Sequence, residues 1–156
     1  IERAKSLGIA VGLTCTSVRE FLAVQDFGAD FAVAQGIEAG GHRGTFVPNE
    51  IDDEELGIDE LIRRILPLSR IPVVAAGGLM TGKDIARVIE LGVIGVQLGT
   101  VFLTCVEAGT NSVYRNYLLN REYHGRGTTL VNTFSGRKAR GISNEFITLM
   151  NRKDFL

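Results

Sequence analysis

Three short apolar runs, each closed by glycine and separated by helical patterns, constrain this chain more than any other feature. The runs at 30–34 and 72–76 are rich in Val and Ala and do not alternate with polar residues, and Gly-Val-Gln-Leu follows at 95–98. A strand that is apolar on both sides is covered on both faces, which is the condition of a strand in a parallel sheet. Between the runs, apolar residues recur at helical spacing: Val18, Phe21 and Leu22; then Leu61, Ile62, Ile65 and Leu66; then Ile85, Val88 and Ile89. That periodicity predicts helices over 17–27, 58–68 and 82–91. Thr14 to Ser17 supplies the first helix with a cap and Thr81 caps the last, while Gly28 and Gly92 stop them. Upstream, 1–8 reads as a helix tail ended by Gly8, followed by a short strand at 9–13.

Strand and helix in strict alternation make an α/β fold with helices covering a parallel sheet. The repeat is short, with about four strand–helix units in residues 1–109. It suits a (β/α)8 TIM-type barrel better than a Rossmann domain. A complete barrel takes roughly 250 residues, so the expectation is the second half of one in residues 1–109. Residues 110–156 read as a polar helical and loop extension packing on the same domain. The chain opens on Ile1, already in helical register, which fits a barrel whose first part lies elsewhere. Such a half exposes a strand edge, and self-association through that edge is the expected consequence.

Composition narrows the function classes. The chain has 156 residues, a formal net charge of −1, and no basic surplus that would mark a nucleic-acid partner. No apolar run approaches the ~20 residues that span a bilayer, so no membrane role is expected. Cys15 and Cys105 lie far apart without metal-ligand spacing and read as reduced core residues of a cytoplasmic protein. The acidic run 52–55 resembles a solvated loop more than a metal site, because consecutive carboxylates point in different directions. No metal is expected.

The chemistry gathers where the apolar runs end. Ala34-Gln35-Gly36-Ile37-Glu38-Ala39-Gly40-Gly41-His42-Arg43-Gly44 packs glycines, an amide, a carboxylate and an imidazole into one loop. Glycines at that density let a backbone approach a flat or phosphorylated ligand closely. A loop histidine can be plain surface, but His42 is the histidine in this glycine setting, whereas His124 lies in a polar, Arg-rich tail. Barrel active sites form at the C-terminal ends of strands, and paired loops after late strands bind phosphate. Gly77-Gly78 and Gly99-Thr100 close consecutive strands and fit that role, with the following helix start as a source of unpaired amides. The competing explanation is a tight turn at Gly77-Gly78 and close packing at Gly99. Arg43, adjacent to His42, is expected to point away from it and to act structurally.

Taken with Pro-Val-Val-Ala-Ala-Gly-Gly-Leu (72–79), Gly-Val-Gln-Leu-Gly-Thr-Val-Phe (95–102) and the segment 133–147, the glycine loop resembles the nitronate monooxygenase family, formerly the 2-nitropropane dioxygenases. The resemblance covers nearly the whole chain, with the motifs in order. It implies an FMN-dependent barrel that oxidises alkyl nitronates with dioxygen to a carbonyl compound and nitrite. By motif position it implies flavin contacts from Gln35, Gly40 and Gly41. It implies a phosphate site from Gly77, Gly78, Gln97, Leu98, Gly99 and Thr100. His42 would be the base or the substrate-orienting group beside the flavin, a part suited to an imidazole. Two other readings stand beside this one. A flavin-dependent enoyl-acyl-carrier-protein reductase shares the barrel and a Gly-Gly-His motif, but favours Glu and Ile where this chain has Gln35 and Arg43. A non-catalytic fragment that keeps the motifs is the third.

Overall fold

The computed structural model describes residues 1–47, 54–120 and 127–150. Strands β1 (Gly12–Cys15), β2 (Phe31–Gln35), β4 (Val73–Ala76) and β5 (Gly95–Gln97) form one parallel sheet in the order β1-β2-β4-β5. Helix α1 (Glu2–Ser6) precedes them, and α2 (Val18–Asp26), α3 (Ile58–Ile65) and α4 (Gly82–Glu90) connect or follow them. The alternation is that of a (β/α)8-type barrel, and β1 and β5 are the edges of the described sheet.

Register explains why these strands are unalternating. Cys15, Ala34 and Ala75 are paired in one row, and Ala32 pairs with Val73 beside it. All five are buried, packed with Phe21, Val24, Leu61, Ile62, Ile65 and Val88 from the helices. Small strand residues let large helix residues sit close, which is where the core lies. The opposite face carries the row Thr14, Val33, Val74 and Gly95, and beyond it the row Gln35, Ala76 and Gln97. Except for Ala76, these residues are half-buried or exposed. Register puts Gly12 on this face too, and glycine fits there because a Cβ would stand 2.2 Å from the Phe31 ring.

Helix ends follow the sequence closely. Ser17 caps α2 by accepting from the Glu20 amide, and Gly28 follows at φ +75°. Thr81 and Asp84 form a reciprocal capping box at the start of α4. Helix α3 ends at Ile65, three residues before its predicted end, and continues as a 3-10 turn over Leu66–Leu68. Pro67 is the reason, since its ring cannot sit in an α-helical ladder.

Three expectations need correction. The first strand is Gly12–Cys15, not 9–13, because pairing with Phe31 begins at Gly12 while Ile9 stays exposed. Residues 110–156 hold more than helix and loop. After α5 (Ser112–Leu119) comes a hairpin of β6 (Thr128–Val131) and β7 (Ala139–Ile142), then α6 (Glu145–Met150). Cys105 is half-buried rather than a core residue; both cysteines are free thiols. Burial first, and the Glu20 carboxylate second, push the Cys15 thiol up to about 12, which keeps it protonated and inert. Among the described residues no helix is long and apolar enough to cross a membrane.

Candidate active site

The glycine loop leaves β2 at Gln35, which is the last residue of the strand rather than the first of the loop. The Gln35 amide then clamps the loop's far end. Its Nε2 donates to the His42 carbonyl at 3.2 Å and its Oε1 accepts from the Gly44 amide at 2.8 Å. Just before them the chain forms β3 (Gly41–His42), two residues that pair antiparallel with β7. An extended pair sends neighbouring side chains to opposite sides. His42 is accordingly exposed, while Arg43 is buried and donates Nη1 to the Gln35 carbonyl at 3.1 Å.

The loop passes over the ends of the next two strands. The Gly36 amide donates to the Ala76 carbonyl at the end of β4. Gly77 and Gly78 have φ of +107° and +67°, a left-handed backbone that suits glycine. A Cβ at Gly78 would come within 2.8 Å of Glu38 Cβ, and one at Gly77 within 3.0 Å of the Ala39 amide nitrogen. Farther along, a Cβ at Gly40 would lie 2.7 Å from Thr100 Oγ1 after β5. The structure therefore gathers Gln35, the 36–44 loop, Gly77-Gly78 and Thr100 at one end of the sheet, the C-terminal end of its strands.

Close packing thus accounts by itself for the two glycines after β4. Their amides are a separate matter: among the described residues, those of Gly77, Gly78 and Thr100 donate to no protein group. Unpaired amides at strand ends are the donors that an anionic oxygen needs. At the start of α4 the capping box engages some of the amides but, among the described residues, not those of Gly82 and Lys83. The Asp84 carboxylate already accepts from the Met80 and Thr81 amides there. The Thr81 hydroxyl first, and then those amides, hold the Asp84 carboxyl below its ordinary value. Gln97 and Gly99 are exposed, and Leu98 is half-buried beside them.

Residues that sequence reasoning did not single out hold the loop in place. Glu38 accepts from the Ile58 amide at 3.2 and 3.1 Å, setting a carboxylate at the positive end of α3. Arg140 on β7 donates Nε to the Ile37 carbonyl at 2.9 Å, and Arg137 donates to the Thr45 carbonyl at 2.8 Å. Glu20, buried in α2, accepts from the Thr16 amide and hydroxyl and from the Phe46 amide. Ser135 in the β6–β7 turn places Oγ 2.7 Å from His42 Nε2. The stretch 133–147 carried the resemblance in sequence, yet nothing in its composition tied Ser135 to a histidine so far upstream. In the acidic run, Asp52 and Asp53 lie outside the described residues. Glu54 pairs with Arg64 and Glu55 with Lys138, each as a solvent-facing ion pair. His124 also lies outside the described residues.

Known proteins share this fold over nearly the whole chain. The nitronate monooxygenase family profile matches residues 1–155. A nitronate monooxygenase of Paraburkholderia phytofirmans is 43% identical over 149 residues, 96% of this chain and 40% of that protein. The crystal structure of a nitroalkane oxidase from Streptomyces ansochromogenes superposes with a TM-score of 0.89 at 38% identity, covering 95% of this chain and 42% of that one. FabK from Thermotoga maritima gives a TM-score of 0.82 at 28% identity, over 99% of this chain and 46% of its own. The chain thus spans less than half the length of the relatives it matches. A match along almost its entire length, with the glycine loop and both strand-end motifs inside it, makes this chain a member of the nitronate monooxygenase family.

Proposed function

We propose that this chain forms the phosphate-holding and substrate-facing half of an FMN-dependent enzyme that oxidises alkyl nitronates with dioxygen to a carbonyl compound and nitrite. The observation that carries the reading is the convergence, at one end of the sheet, of amides at Gly77, Gly78 and Thr100 that are unpaired among the described residues with the loop of the exposed His42. Those residues fit FMN. Gly77, Gly78, Gln97, Leu98, Gly99 and Thr100 would hold its phosphate, while Gln35, Gly40 and Gly41 would flank the ring. Bound flavin supplies the electron acceptor for the oxidation. The protein's own part is to bind and to orient. Gln35 fixes the backbone of residues 42–44, and His42 presents its ring to the substrate. With a nitronate, already deprotonated, the imidazole orients the anion. With a neutral nitroalkane it accepts the α-proton, and the electron pair of the broken C–H bond passes into the nitro group.

In this reading, residues 1–109 are the C-terminal half of a flavin-binding barrel and 110–156 are an extension packing on it. The β3–β7 pairing supports that relation. The partners are a small nitronate, dioxygen and, through the β1 or β5 edge, a second copy of the chain. A cytoplasmic setting agrees with two free cysteines. The enoyl-acyl-carrier-protein reductase reading is second, since Arg43 is a buried brace on Gln35 where that relative favours Ile.

The test is flavin retention after removal of free FMN, then oxygen uptake and nitrite release with a nitronate. A His42→Ala variant is expected to lose about 10²- to 10⁴-fold of turnover with a neutral nitroalkane, the usual scale of general-base catalysis, and less with the preformed nitronate. Unchanged turnover with the neutral substrate removes the base assignment. NAD(P)H consumption with an enoyl thioester moves the assignment to the reductase, and a colourless, inactive chain supports the non-catalytic reading.

A further inference from the structure

The contact between His42 and Ser135 determines more than the position of a ring. Ser135 Oγ lies 2.7 Å from His42 Nε2 and 3.4 Å from the Arg137 carbonyl oxygen, toward which it donates. A serine hydroxyl has one proton to give and two lone pairs that accept. With its proton directed at the carbonyl, Ser135 is an acceptor toward the imidazole. In that arrangement His42 Nε2 is the protonated nitrogen, and Nδ1, which meets no partner among the described residues, keeps its lone pair. The hairpin gives Ser135 a defined place. The Gly136 amide donates to the Asn132 carbonyl and Gly136 sits at φ +71°, closing the turn that lifts Ser135 over β3. The pairing of His42 with Ala139 fixes the other side of the contact.

We infer that Ser135 is a positioning residue that holds His42 in the Nε2–H tautomer, so that Nδ1 is the atom offered to the substrate. The same hydrogen bond serves the protonated ring, because Nε2 remains a donor after Nδ1 has taken a proton. That the substrate is a nitro compound rests on the function proposed above; the tautomer does not.

Imidazole ¹⁵N NMR of the purified chain tests it directly, with His124→Gln assigning the two histidines. Neutral His42 is expected to carry its proton on Nε2. In Ser135→Ala that proton is expected to exchange with water about fivefold faster, the factor carried by one net hydrogen bond. Ser135→Thr, which keeps the hydroxyl, is expected to restore the wild-type rate. Ser135→Cys preserves volume and weakens the acceptor, and it replaces the Ala variant should circular dichroism show that one unfolded. A proton found on Nδ1 in the wild type, or an unchanged exchange rate in the variants without a hydroxyl, overturns the inference. Flavin retention and nitrite release are separate readouts, so failure of the nitronate reading is distinguishable from failure of this one.

Discussion

The four-stranded parallel sheet and the small β3–β7–β6 sheet are held together by different physics. The parallel sheet buries one whole face of small apolar residues, with Cys15, Ala34 and Ala75 fully enclosed by Phe21, Leu61, Ile62 and Ile65. Its pairings join neighbouring strand–helix units, and non-directional apolar burial is sufficient to assemble them. The small sheet has little core of its own; Val131 is the buried residue among its strands. Polar bonds between distant positions hold it to the glycine loop. His42 meets Ser135, Thr45 meets Arg137 and Ile37 meets Arg140 across 93, 92 and 103 positions respectively. The loop that carries His42 thus leans on the region with less apolar burial, where individual hydrogen bonds count for more. A core lesion should unfold both regions, and a hairpin lesion should disorder the site alone.

The sharpest break in that comparison is Phe21→Ala. Phe21 is fully enclosed, and removing a buried ring is expected to cost about 3–5 kcal/mol, measured by chemical denaturation. A loss no larger than that of a surface substitution would mean that this core does not carry the fold. Glu20→Gln comes next, because Glu20 joins the two regions. Its carboxylate serves Thr16 next to the parallel sheet and the Phe46 amide at the exit of the loop. Leaving the buried Thr16 donors without their full acceptor is expected to cost about 1–3 kcal/mol, and losing the part-buried Phe46 bond less. Hydrogen exchange at Phe46 should quicken more than at Leu61; equal changes at both would deny the bridging role.

Thr81→Ala is the smallest and stays within the parallel half. Loss of the cap on α4 is expected to cost about 1 kcal/mol, with the surroundings of His42 unchanged. The same capping box gives a pH dependence whose sign is fixed. The folded Asp84 carboxyl lies below its ordinary value, so the folded state binds fewer protons there than the unfolded chain. Its contribution is complete above the unfolded value of about 4 and fades as pH falls through the folded one. Asp84→Asn should flatten acid unfolding in that window. An unaltered acid limb would show that the box contributes nothing in solution.

Much of the parallel half was legible from local chemistry. Ser17 and Thr81 cap the helices that they precede, and Gly28 and Gly92 end them at positive φ, because caps and stops act over three or four residues. The strand at 9–13 was misplaced for an equally local reason. An apolar run shows that something is buried, but the register with Phe31 decides where pairing starts. The hairpin at 128–142 escaped notice because its strands are half polar and its value lies in what they touch. The two glycines after β4 stood out, but sequence could not separate their packing against Glu38 and Ala39 from the availability of their amides.

The amino-acid order alone determined the alternation of strand and helix, the capping of the helices and the glycine loop with its histidine, since all of these follow from short-range periodicity and side-chain chemistry. Tertiary structure decided that Arg43 turns inward while His42 faces out, that Gln35 spends its amide on the loop, and that Ser135 meets the imidazole. Those outcomes depend on bonds closed across long stretches of chain. Their geometry exists only after the apolar core has brought the strand ends and the hairpin together.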